Sequence, residues 1–484
     1  MIEPMAAKND SAYHLVTALF LRLLGVIYLI AFVSIGPQIE GLVGSQGILP
    51  FSQELAYLKT LPGFEQYLMT PTLFWFDSSD WALKAATAAG IAAALLIIAN
   101  LWTRTALIAA FALYLSIYHA GQLFLNFQWD GLLLEAGFLA IFLSPGSRII
   151  ILLLRWLLFR LRFMSGIAKL TMHDPTWSGL TALNYYFEVQ PLPNPVSWYA
   201  DHLPEWLLRF GTGATLVVEI LVPLMMFLPR RWRFTAAWIT ILWQTLIILT
   251  SNHNWFNFLT ITLCLFLFDD RALRRVLPEP LCRLLQRQHL PVRHDNAASR
   301  GGAMALAALV LFASAVHFRE LITMKPASGF AGGLLDYTES WRIVNKYHVF
   351  PTMKTERIEL EIAGSLDGEE WKTYRFRHKP GDPRRRPDVV IPFQPRLDWQ
   401  MWFVTLDRNN LPWFHAFLAR LLDGSPAVLS LLQDNPFPGQ PPRYLRVSAW
   451  RYRFTDPAGL AEGRWWQREE LGPFTPLPGM ARDW

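Results

Sequence analysis

The densest group of residues that could do chemistry lies near position 400. The run Pro392–Phe403 reads PFQPRLDWQMWF, with Arg396 and Asp398 set among large apolar side chains. Pro395 suits the first turn of a helix, and the apolar positions then occupy nearly every helical face. Burial of such a helix penalises both charges unless they are paired or hydrogen-bonded. The stretch is therefore either a core helix pinned by its charges or a surface that binds another protein.

Binding would use the aromatic and polar side chains of this stretch. Tryptophan and arginine supply much of the affinity at protein interfaces. The candidate residues of this motif for binding a partner protein are Gln394, Pro395, Arg396, Asp398, Trp399, Trp402 and Trp413. This role requires at least one face of the segment to be open.

A second polar motif lies in the middle of the chain. Lys169, Asp174 and Trp177 precede a proline-rich run that begins with Gln190 and Pro191. The prolines forbid a continuous helix there and favour extended structure. Residues 166–210 are therefore predicted to form an outward loop, which either docks against the C-terminal domain or is a structural loop at the membrane surface.

Charged residues also interrupt the apolar stretches. Arg155, Arg162 and Lys169 recur every seven residues, so they share one helical face. Cations inside a membrane usually face the interior of a helix bundle, and Glu135 and Glu219 are the available counter-charges. Arg160 lies off this face, which favours the alternative of a shortened span whose arginines reach the interface.

The elements that must position these residues follow from the composition. Hydrophobic residues make up 52% of the 484 residues, and long apolar runs fill the first 320 positions. This pattern predicts a polytopic α-helical membrane protein of about eight to nine spans, with a C-terminal, mainly β soluble domain that carries short helices. The candidate spans are 15–35, 83–101, 105–120, 131–144, 149–167, 211–228, 234–250, 255–268 and 302–318.

The charges of the connecting loops predict the orientation. The outward loop 36–82 holds five acidic residues and one basic residue, Lys59, whereas Arg104, Arg148 and the turn 230–233 belong to the opposite set of loops. Cytoplasmic loops carry an excess of Lys and Arg, so the C-terminal domain should be extracytoplasmic. The membrane would be the inner membrane of a bacterium or the endoplasmic reticulum of a eukaryote.

The predicted organisation has three parts: a membrane domain over 1–320, a linker over 321–340 and an extracytoplasmic β-rich domain over 341–484. In the last part, alternating apolar residues around a turn at Asp367-Gly368 predict a β-hairpin. Capping residues predict one helix that ends at Gly424 and another that begins with Ser425 as its N-cap. The predicted strands are 356–362, 371–378, 388–391 and 444–455, and the first of the two helices is predicted over 411–422.

Several classes of function lack their sequence signatures. The two cysteines, Cys264 and Cys282, form no CxxC motif, and no phosphate-binding loop or nucleophile elbow occurs. His119 and His253 show no metal-ligand spacing. The net charge of +6 lacks an aromatic-interleaved basic motif and indicates membrane topology rather than nucleic-acid binding. No catalytic residue, metal, cofactor or nucleic-acid partner is expected, whereas membrane lipid is an expected partner.

The run around Arg396 resembles the hallmark of the lipase maturation factor family, and the motif that begins at Lys169 resembles a second hallmark of it. The similarity continues through 347–387 and 435–452. It implies a non-catalytic membrane factor that assists newly translocated lipases, particularly dimeric ones, to reach an active fold. The resemblance also implies that the motif around Arg396 binds such clients, whose apolar surface is exposed while they fold. Three positions depart from the family pattern: Phe393 and Tyr186 stand where histidine is usual, and Val189 where threonine is usual.

A membrane enzyme or transporter core is the alternative hypothesis. The arrangement of spans is similar to the membrane domain of vitamin K-dependent carboxylases and their bacterial relatives. Lys169 would then act as a base, with His173 and Asp174 beside it. Convergence of Lys169, Glu135 and Glu219 in a closed polar cavity would favour this alternative, and a scattered arrangement would favour the maturation factor.

Overall fold

The computed structural model describes residues 13–287, 290, 297–406 and 408–474. The start of the predicted membrane domain and the end of the predicted C-terminal domain, residues 1–12 and 475–484, lie outside these ranges. The polar residues that precede the first predicted span fall almost entirely in the first of these two segments.

Helices cover all nine stretches where the sequence predicts spans. Their apolar runs are long and hold few residues that break helices, so each run can satisfy its own backbone hydrogen bonds. In chain order the helices are α1 (His14–Ile35), α2 (Asp80–Ala99), α3 (Thr103–Ala120), α4 (Gln128–Ile141), α5 (Arg148–Thr171), α6 (Glu205–Leu224), α7 (Arg230–Thr250), α8 (Phe256–Leu263) and α9 (Ala297–Thr323).

Five of these helices are long and apolar enough to cross a membrane, judged by length and composition alone. They are α1, α2, α6 with its 3-10 extension to Phe227, α7 and α9. The other four are shorter, less apolar or more charged. The protein is thus a helical integral membrane protein, and the number of eight to nine spans stays a prediction.

Hydrogen bonds at the helix ends show that α1 and α7 run in the same direction. At their first turns, Val16 N donates to Asp270 at 3.1 Å and Arg230 donates to Asp269 at 2.6 Å. These acceptors belong to the connector between α8 and α9, which holds the short helices Asp270–Val276 and Glu279–Gln286. The opposite ends of α1 and α7 lie next to the C-terminal part of the chain.

The two predicted outward loops contain several short helices. In the second loop, Pro175 and Pro195 begin helices instead of extended structure. The residue before each proline, Asp174 or Asn194, is the N-cap and accepts a backbone hydrogen bond of the helix with its side chain. The loop is also shorter than predicted, since α5 extends to Thr171 and α6 begins at Glu205. The short helices of both loops are Ile39–Val43, Phe51–Thr60, Glu65–Met69, Pro175–Ser178, Leu183–Val189 and Pro195–Asp201.

The C-terminal part contains a four-stranded antiparallel sheet in the order β2-β1-β3-β4. Its strands are β1 (Arg357–Ser365), β2 (Lys372–Thr373), β3 (Tyr444–Phe454) and β4 (Trp466–Pro473). The predicted hairpin turn is confirmed, with Gly368 at a φ of 85°. Its second strand is much shorter than predicted, and β4 was not predicted.

The predicted strand over 388–391 is wrong. These residues pair with one side chain of the membrane part instead of a neighbouring strand. Asn252 donates to Asp388 O at 2.8 Å and accepts from Val390 N at 2.9 Å. A single amide therefore satisfies the backbone groups that a strand would otherwise offer to a sheet.

Helices contribute at least as much of the C-terminal part as strands do, so the predicted β content is too high. Gly424, at a φ of 63°, and the Ser425 N-cap lie where the sequence predicts a helix end and a new helix start. The helix α10 occupies much of the predicted linker 321–340. The helices are α10 (Gly329–Ser340), α11 (Arg396–Val404), α12 (Leu411–Leu422), and the short Pro426–Leu429 and Pro457–Ala461.

One hydrophobic core passes through both parts of the chain. Leu21 of α1, Leu397 of α11 and Phe417 of α12 are all buried members of the same contiguous cluster. The C-terminal part therefore packs directly onto the helices of the membrane part.

Candidate functional site

The residues of the family-like motif lie where the C-terminal part meets the ends of the membrane helices. Arg396, in the first turn of α11, forms two hydrogen bonds with Asp130 of α4, at 2.7 and 2.8 Å. Both side chains are 0% exposed. A planar guanidinium fits a carboxylate in this two-pronged geometry better than any other cation does. This pair joins the two parts of the protein.

Other groups complete the surroundings of the Arg396–Asp130 pair. Tyr114 of α3 donates to the Asp130 carboxylate at 2.6 Å, and Arg396 also donates to Phe124 O at 3.1 Å. The guanidinium lies 5.5 Å from the centre of the Trp255 ring. Burying two charges is tolerable here because hydrogen bonds satisfy most of their polar atoms.

The neighbouring motif residues also make contacts with backbone groups. Asp398 accepts from the backbone N–H groups of His378 and Lys379, at 2.6 and 2.9 Å, and not from Arg396. The expected charge pair within the helix is therefore absent, and each charge has its own distant partners. Pro395 is the N-cap residue of α11 and accepts from Trp399 N at 3.0 Å.

Gln394 contacts the ends of two membrane helices. Its backbone N–H donates to Ser34 at the end of α1 (2.8 Å), and its carbonyl accepts from Gln38 (2.9 Å). Its side-chain oxygen accepts from Asn254, just before α8, at 2.8 Å. Ser34, Gln38 and Asn254 thus hold the residue that precedes Pro395 against the membrane part.

The tryptophans of the motif are mostly buried. Trp399 is 3% exposed and packs edge-on against Trp129, with ring centres 5.1 Å apart, and Trp413 is 1% exposed and packs against Phe124. Trp402 is half-buried and donates to Val189 O at 2.7 Å. Arg396, Trp399 and Trp413 therefore do not offer the open face that their expected role as client anchors requires.

The second motif makes an equivalent junction around α5. Lys169 donates to Glu219 of α6 at 2.7 Å and to Val349 O at 2.7 Å, and its ammonium lies 4.9 Å from the centre of the Trp177 ring. Arg162 also pairs with Glu219, at 3.3 Å. Glu219 is thus a counter-charge for two cations of the predicted stripe.

Asp174 extends this junction to the chain that enters the sheet. One of its oxygens accepts from Thr176 N at 2.9 Å, and the other accepts from Met353 N at 3.0 Å. Val349 and Met353, in the segment that leads into β1, are therefore both fixed by residues of the second motif.

The remaining predicted counter-charge pairs differently from the expectation. Glu135 pairs with Arg160, the arginine off the stripe, and accepts from Tyr347 (2.9 Å) and from Asn345 N (3.0 Å). Arg155 instead donates to Phe266 O at 2.7 Å and to a tyrosine hydroxyl. Arg160 is fully buried and also donates to Asn345 O at 3.0 Å, so protein groups surround its charge.

The proline-rich run of the second motif is held by a residue that the sequence did not single out. Arg357 of β1 donates to Pro191 O and Glu188 O, both at 2.9 Å, while Gln190 donates to Thr250 O at the end of α7. Glu359 pairs with Arg357 at 2.6 Å. Burial acts to raise the pKa of Glu359, but the positive charges of Lys379 and Arg357 outweigh this effect, and the pKa is lowered.

The contacts of Arg396 with Asp130, of Lys169 with Val349 and of Asp174 with Met353 connect the two parts of the protein and are here termed the joint. They suit a fixed connection better than a reaction centre. Lys169 and Glu219 meet, but Glu135 belongs to a separate cluster with Arg160, so the three residues do not share one polar site. His119 contacts Ser340 O and His253 contacts the Tyr186 hydroxyl, at 2.9 and 2.7 Å. Among the described residues, no group of three or more His, Cys, Asp or Glu could hold a metal ion.

The residues that complete the joint were mostly missed by sequence reasoning. Sequence reasoning assigned Asp130 to no site, although an acidic residue flanked by apolar residues signals a buried partner. Asn345, Tyr347 and Arg357 carried no such signal, because they lie in segments of ordinary polarity.

Two family models match this chain. The lipase maturation factor transmembrane domain matches residues 15–275, and the lipase maturation factor C-terminal domain matches residues 343–476. Together they include the elements that form both sides of the joint.

Individual proteins of this family are similar to this chain over nearly its whole length. Lipase maturation factor 2 of Xenopus laevis is 34% identical over 96% of this chain and 82% of that protein. Lipase maturation factor 1 is 33% identical in Mus musculus, over 97% of this chain and 88% of that protein, and 32% identical in Homo sapiens, over 97% and 89%. No solved structure is significantly similar to this chain. Since the similarity runs through nearly the whole chain, this protein belongs to the lipase maturation factor family.

Proposed function

We propose that this protein is a membrane-embedded maturation factor that assists exported lipases to reach their active, often dimeric, state. The observation that carries the proposal is similarity over at least 96% of the chain to proteins named lipase maturation factors. Its clients would be secreted lipases, and its own contribution would be a folding surface rather than catalysis. None of the comparisons supports the carboxylase-like alternative with Lys169 as a base.

The C-terminal part would lie outside the cytosol, where it can meet newly translocated lipases. It contacts Gln38, just after α1, and Asn252, just after α7. The arginine-rich connectors at 230–233 and 268–287 lie at the starts of these two helices. Basic loops favour the cytoplasmic side. Nine crossings would reconcile these contacts, with α3, α4, α5 and α8 packed among the five helices that are long and apolar enough to span the membrane. The membrane would be the endoplasmic reticulum or a bacterial inner membrane.

The motif residues would act by fixing the C-terminal part in one orientation. Arg396, Lys169 and Asp174 each bond a group on the other side of the joint, so their replacement would loosen the client-binding surface without touching the client. A pre-organised surface loses less conformational freedom when it binds. The surface itself would lie on the exposed side of the C-terminal part, with Trp402 as the most accessible tryptophan of the motif.

The direct test compares secreted lipases from cells with and without this gene. Loss of the gene should lower lipase activity per unit of lipase protein, shift the lipase from active dimers to inactive monomers and aggregates, and leave lipase synthesis unchanged. The intact gene should restore activity. Unchanged specific activity of every secreted lipase in the deleted strain would refute the proposal.

A further inference from the structure

The connector between α8 and α9 has an exposed basic surface. It contains two short helices, Asp270–Val276 and Glu279–Gln286, whose arginines point away from the core. The exposed arginines in its described part are Arg271, Arg274, Arg275, Arg283 and Arg287.

The nearby carboxylates are already engaged. Asp269 pairs with Arg230 at the start of α7, and Asp270 accepts from Val16 N at the start of α1. Within the described part of the connector, Glu279 pairs with Arg283 of the same helix, at 3.8 Å. As a result, Arg271, Arg275 and Arg287 have no carboxylate partner among the described residues.

Apolar side chains project on the same exposed side. Val276 is 69% exposed and Leu284 is 62% exposed, whereas Leu273 and Leu285 of the same two helices are buried in the core. Each short helix therefore has one side on the bundle and one side that combines arginine with an unpacked aliphatic group. This combination is typical of helices that lie in the interface of a membrane.

We propose that Arg271, Arg275, Val276, Leu284 and Arg287, here termed the connector patch, bind the anionic headgroups of membrane phospholipids. The guanidinium groups would contact phosphate oxygens in pairs, and the two aliphatic side chains would enter the acyl boundary. Lipid is the occupant because the patch adjoins the starts of α1 and α7, two helices that can span the membrane, so headgroups surround it. This inference is independent of the lipase clients.

The test measures lipid binding by the full-length protein in a neutral detergent. Fluorescent phosphatidylglycerol and fluorescent phosphatidylcholine are titrated separately, and binding is read from anisotropy. The triple variant Arg271→Gln, Arg275→Gln, Arg287→Gln should bind phosphatidylglycerol at least about tenfold more weakly, since each basic residue near the headgroups adds to the attraction, and its phosphatidylcholine binding should not change. A matched variant at three exposed arginines of the C-terminal part, Arg384→Gln, Arg443→Gln, Arg453→Gln, should retain the original affinity.

Two further arms make the result decisive. An equal concentration of inorganic phosphate should fail to displace the lipid, and displacement would overturn the assignment to lipid. The double variant Val276→Ser, Leu284→Ser keeps every arginine and should still weaken phosphatidylglycerol binding severalfold, and it decides the matter if the triple variant does not fold. Full affinity in a folded triple variant, or equal affinity of the original protein for both lipids, would also overturn the proposal.

Discussion

Arg396 and Asp130 are 266 residues apart in the sequence and share two hydrogen bonds in a position that solvent does not reach. A charge in such a position cannot bind a client without leaving its partner unpaired. Its contribution is to the geometry of the joint, because the planar pair permits only one orientation of α11 against α4. The Arg396–Asp130 pair thus connects α11 to α4.

Replacing Arg396 alone should destabilise the protein strongly. The Arg396→Met variant leaves the Asp130 carboxylate buried with Tyr114 as its main donor, and breaking a buried pair from one side costs about 3–5 kcal/mol. The measurement is the unfolding midpoint of the purified protein in detergent, followed by tryptophan fluorescence. Arg453→Met, at an exposed arginine, serves as the control and should melt normally.

The double variant Arg396→Met with Asp130→Leu distinguishes the cost of leaving one buried charge unpaired from a simple loss of packing. It removes both charges and should recover more than half of the loss, because apolar groups of similar size often replace a buried pair with little penalty. Arg396→Lys should be intermediate, since an ammonium lacks the two-pronged geometry. An Arg396→Met protein that unfolds like the original would contradict this account.

The pH dependence of stability should reveal Asp201, which lies outside the candidate spans. Burial and the nearby Glu188 carboxyl raise the pKa of Asp201 from 3.8 to about 7. A raised pKa in the folded state means that stability is full below about pH 4 and is lost as the pH rises through 7. Asp201→Asn should therefore match the original protein at low pH and exceed its stability by about 2 kcal/mol at pH 8, allowing for partial exposure.

Melting temperatures across this pH range, taken for both proteins in one detergent, test the Asp201 prediction. Glu369→Gln, in an exposed turn, is the control and should show no such divergence. Parallel curves for Asp201→Asn and the original protein would mean that this carboxyl is not the source of the effect.

For single residues, sequence reasoning predicted that Arg396 and Asp398 need partners, but it did not identify those partners. The need follows from the local mixture of charge and apolar residues, which is visible in a single stretch. The partner depends on how helices far apart in sequence pack, and a helical periodicity contains no such information. Glu135 was accordingly expected as a counter-charge for the stripe of Arg155, Arg162 and Lys169, whereas the packing of α4 on α5 brings it to Arg160.

Elements whose ends are determined locally were predicted well. The end of α12 at Gly424 and the start after Ser425 depend on backbone conformation and capping within a few residues. The expected strand over 388–391 failed because its hydrogen-bond partner, Asn252, comes from the membrane part. Strand prediction assumes that an extended segment pairs with another strand. Here the side chain of Asn252 takes the place of the neighbouring strand.

Packing between short helices provides an element-scale test. Gly41, in the helix Ile39–Val43 between α1 and α2, is so close to the C-terminal part that a Cβ would lie 2.5 Å from Ala427 O and 2.8 Å from Leu431 Cγ. Gly41→Ala should therefore separate the two elements and destabilise the protein by about 1–3 kcal/mol. The readout is the melting temperature in detergent.

Gly333→Ala is the matched control for Gly41→Ala. Gly333 is also helical, in α10, and a Cβ there would meet nothing within 4 Å. Alanine at this position should leave the melting temperature unchanged or raise it slightly, through its higher helix propensity. If Gly41→Ala is as harmless as Gly333→Ala, the helix Ile39–Val43 does not pack against the C-terminal part as described.

On the scale of the whole molecule, the two parts share one core and several buried polar contacts. The sequence indicated an apolar first part and a polar second part, and from that contrast predicted a separate soluble domain over 341–484. Composition cannot show that α11 and α12 bury their aromatic faces against membrane helices, because a buried interface and an internal core have the same composition. The joint was therefore the feature least accessible to sequence reasoning.

The shared core predicts that the C-terminal part does not fold alone. A fragment of residues 341–474 would expose Arg396, Trp399 and Trp413 together with the apolar groups around them, which is a larger apolar patch than soluble monomers tolerate. Expressed by itself, it should aggregate or lack a cooperative melting transition and near-ultraviolet circular dichroism, while the full chain in detergent shows both. A soluble, monomeric fragment with a sharp transition would mean that the buried contacts at the joint are dispensable for its fold, and the structural role assigned to the motif residues would then have to be abandoned.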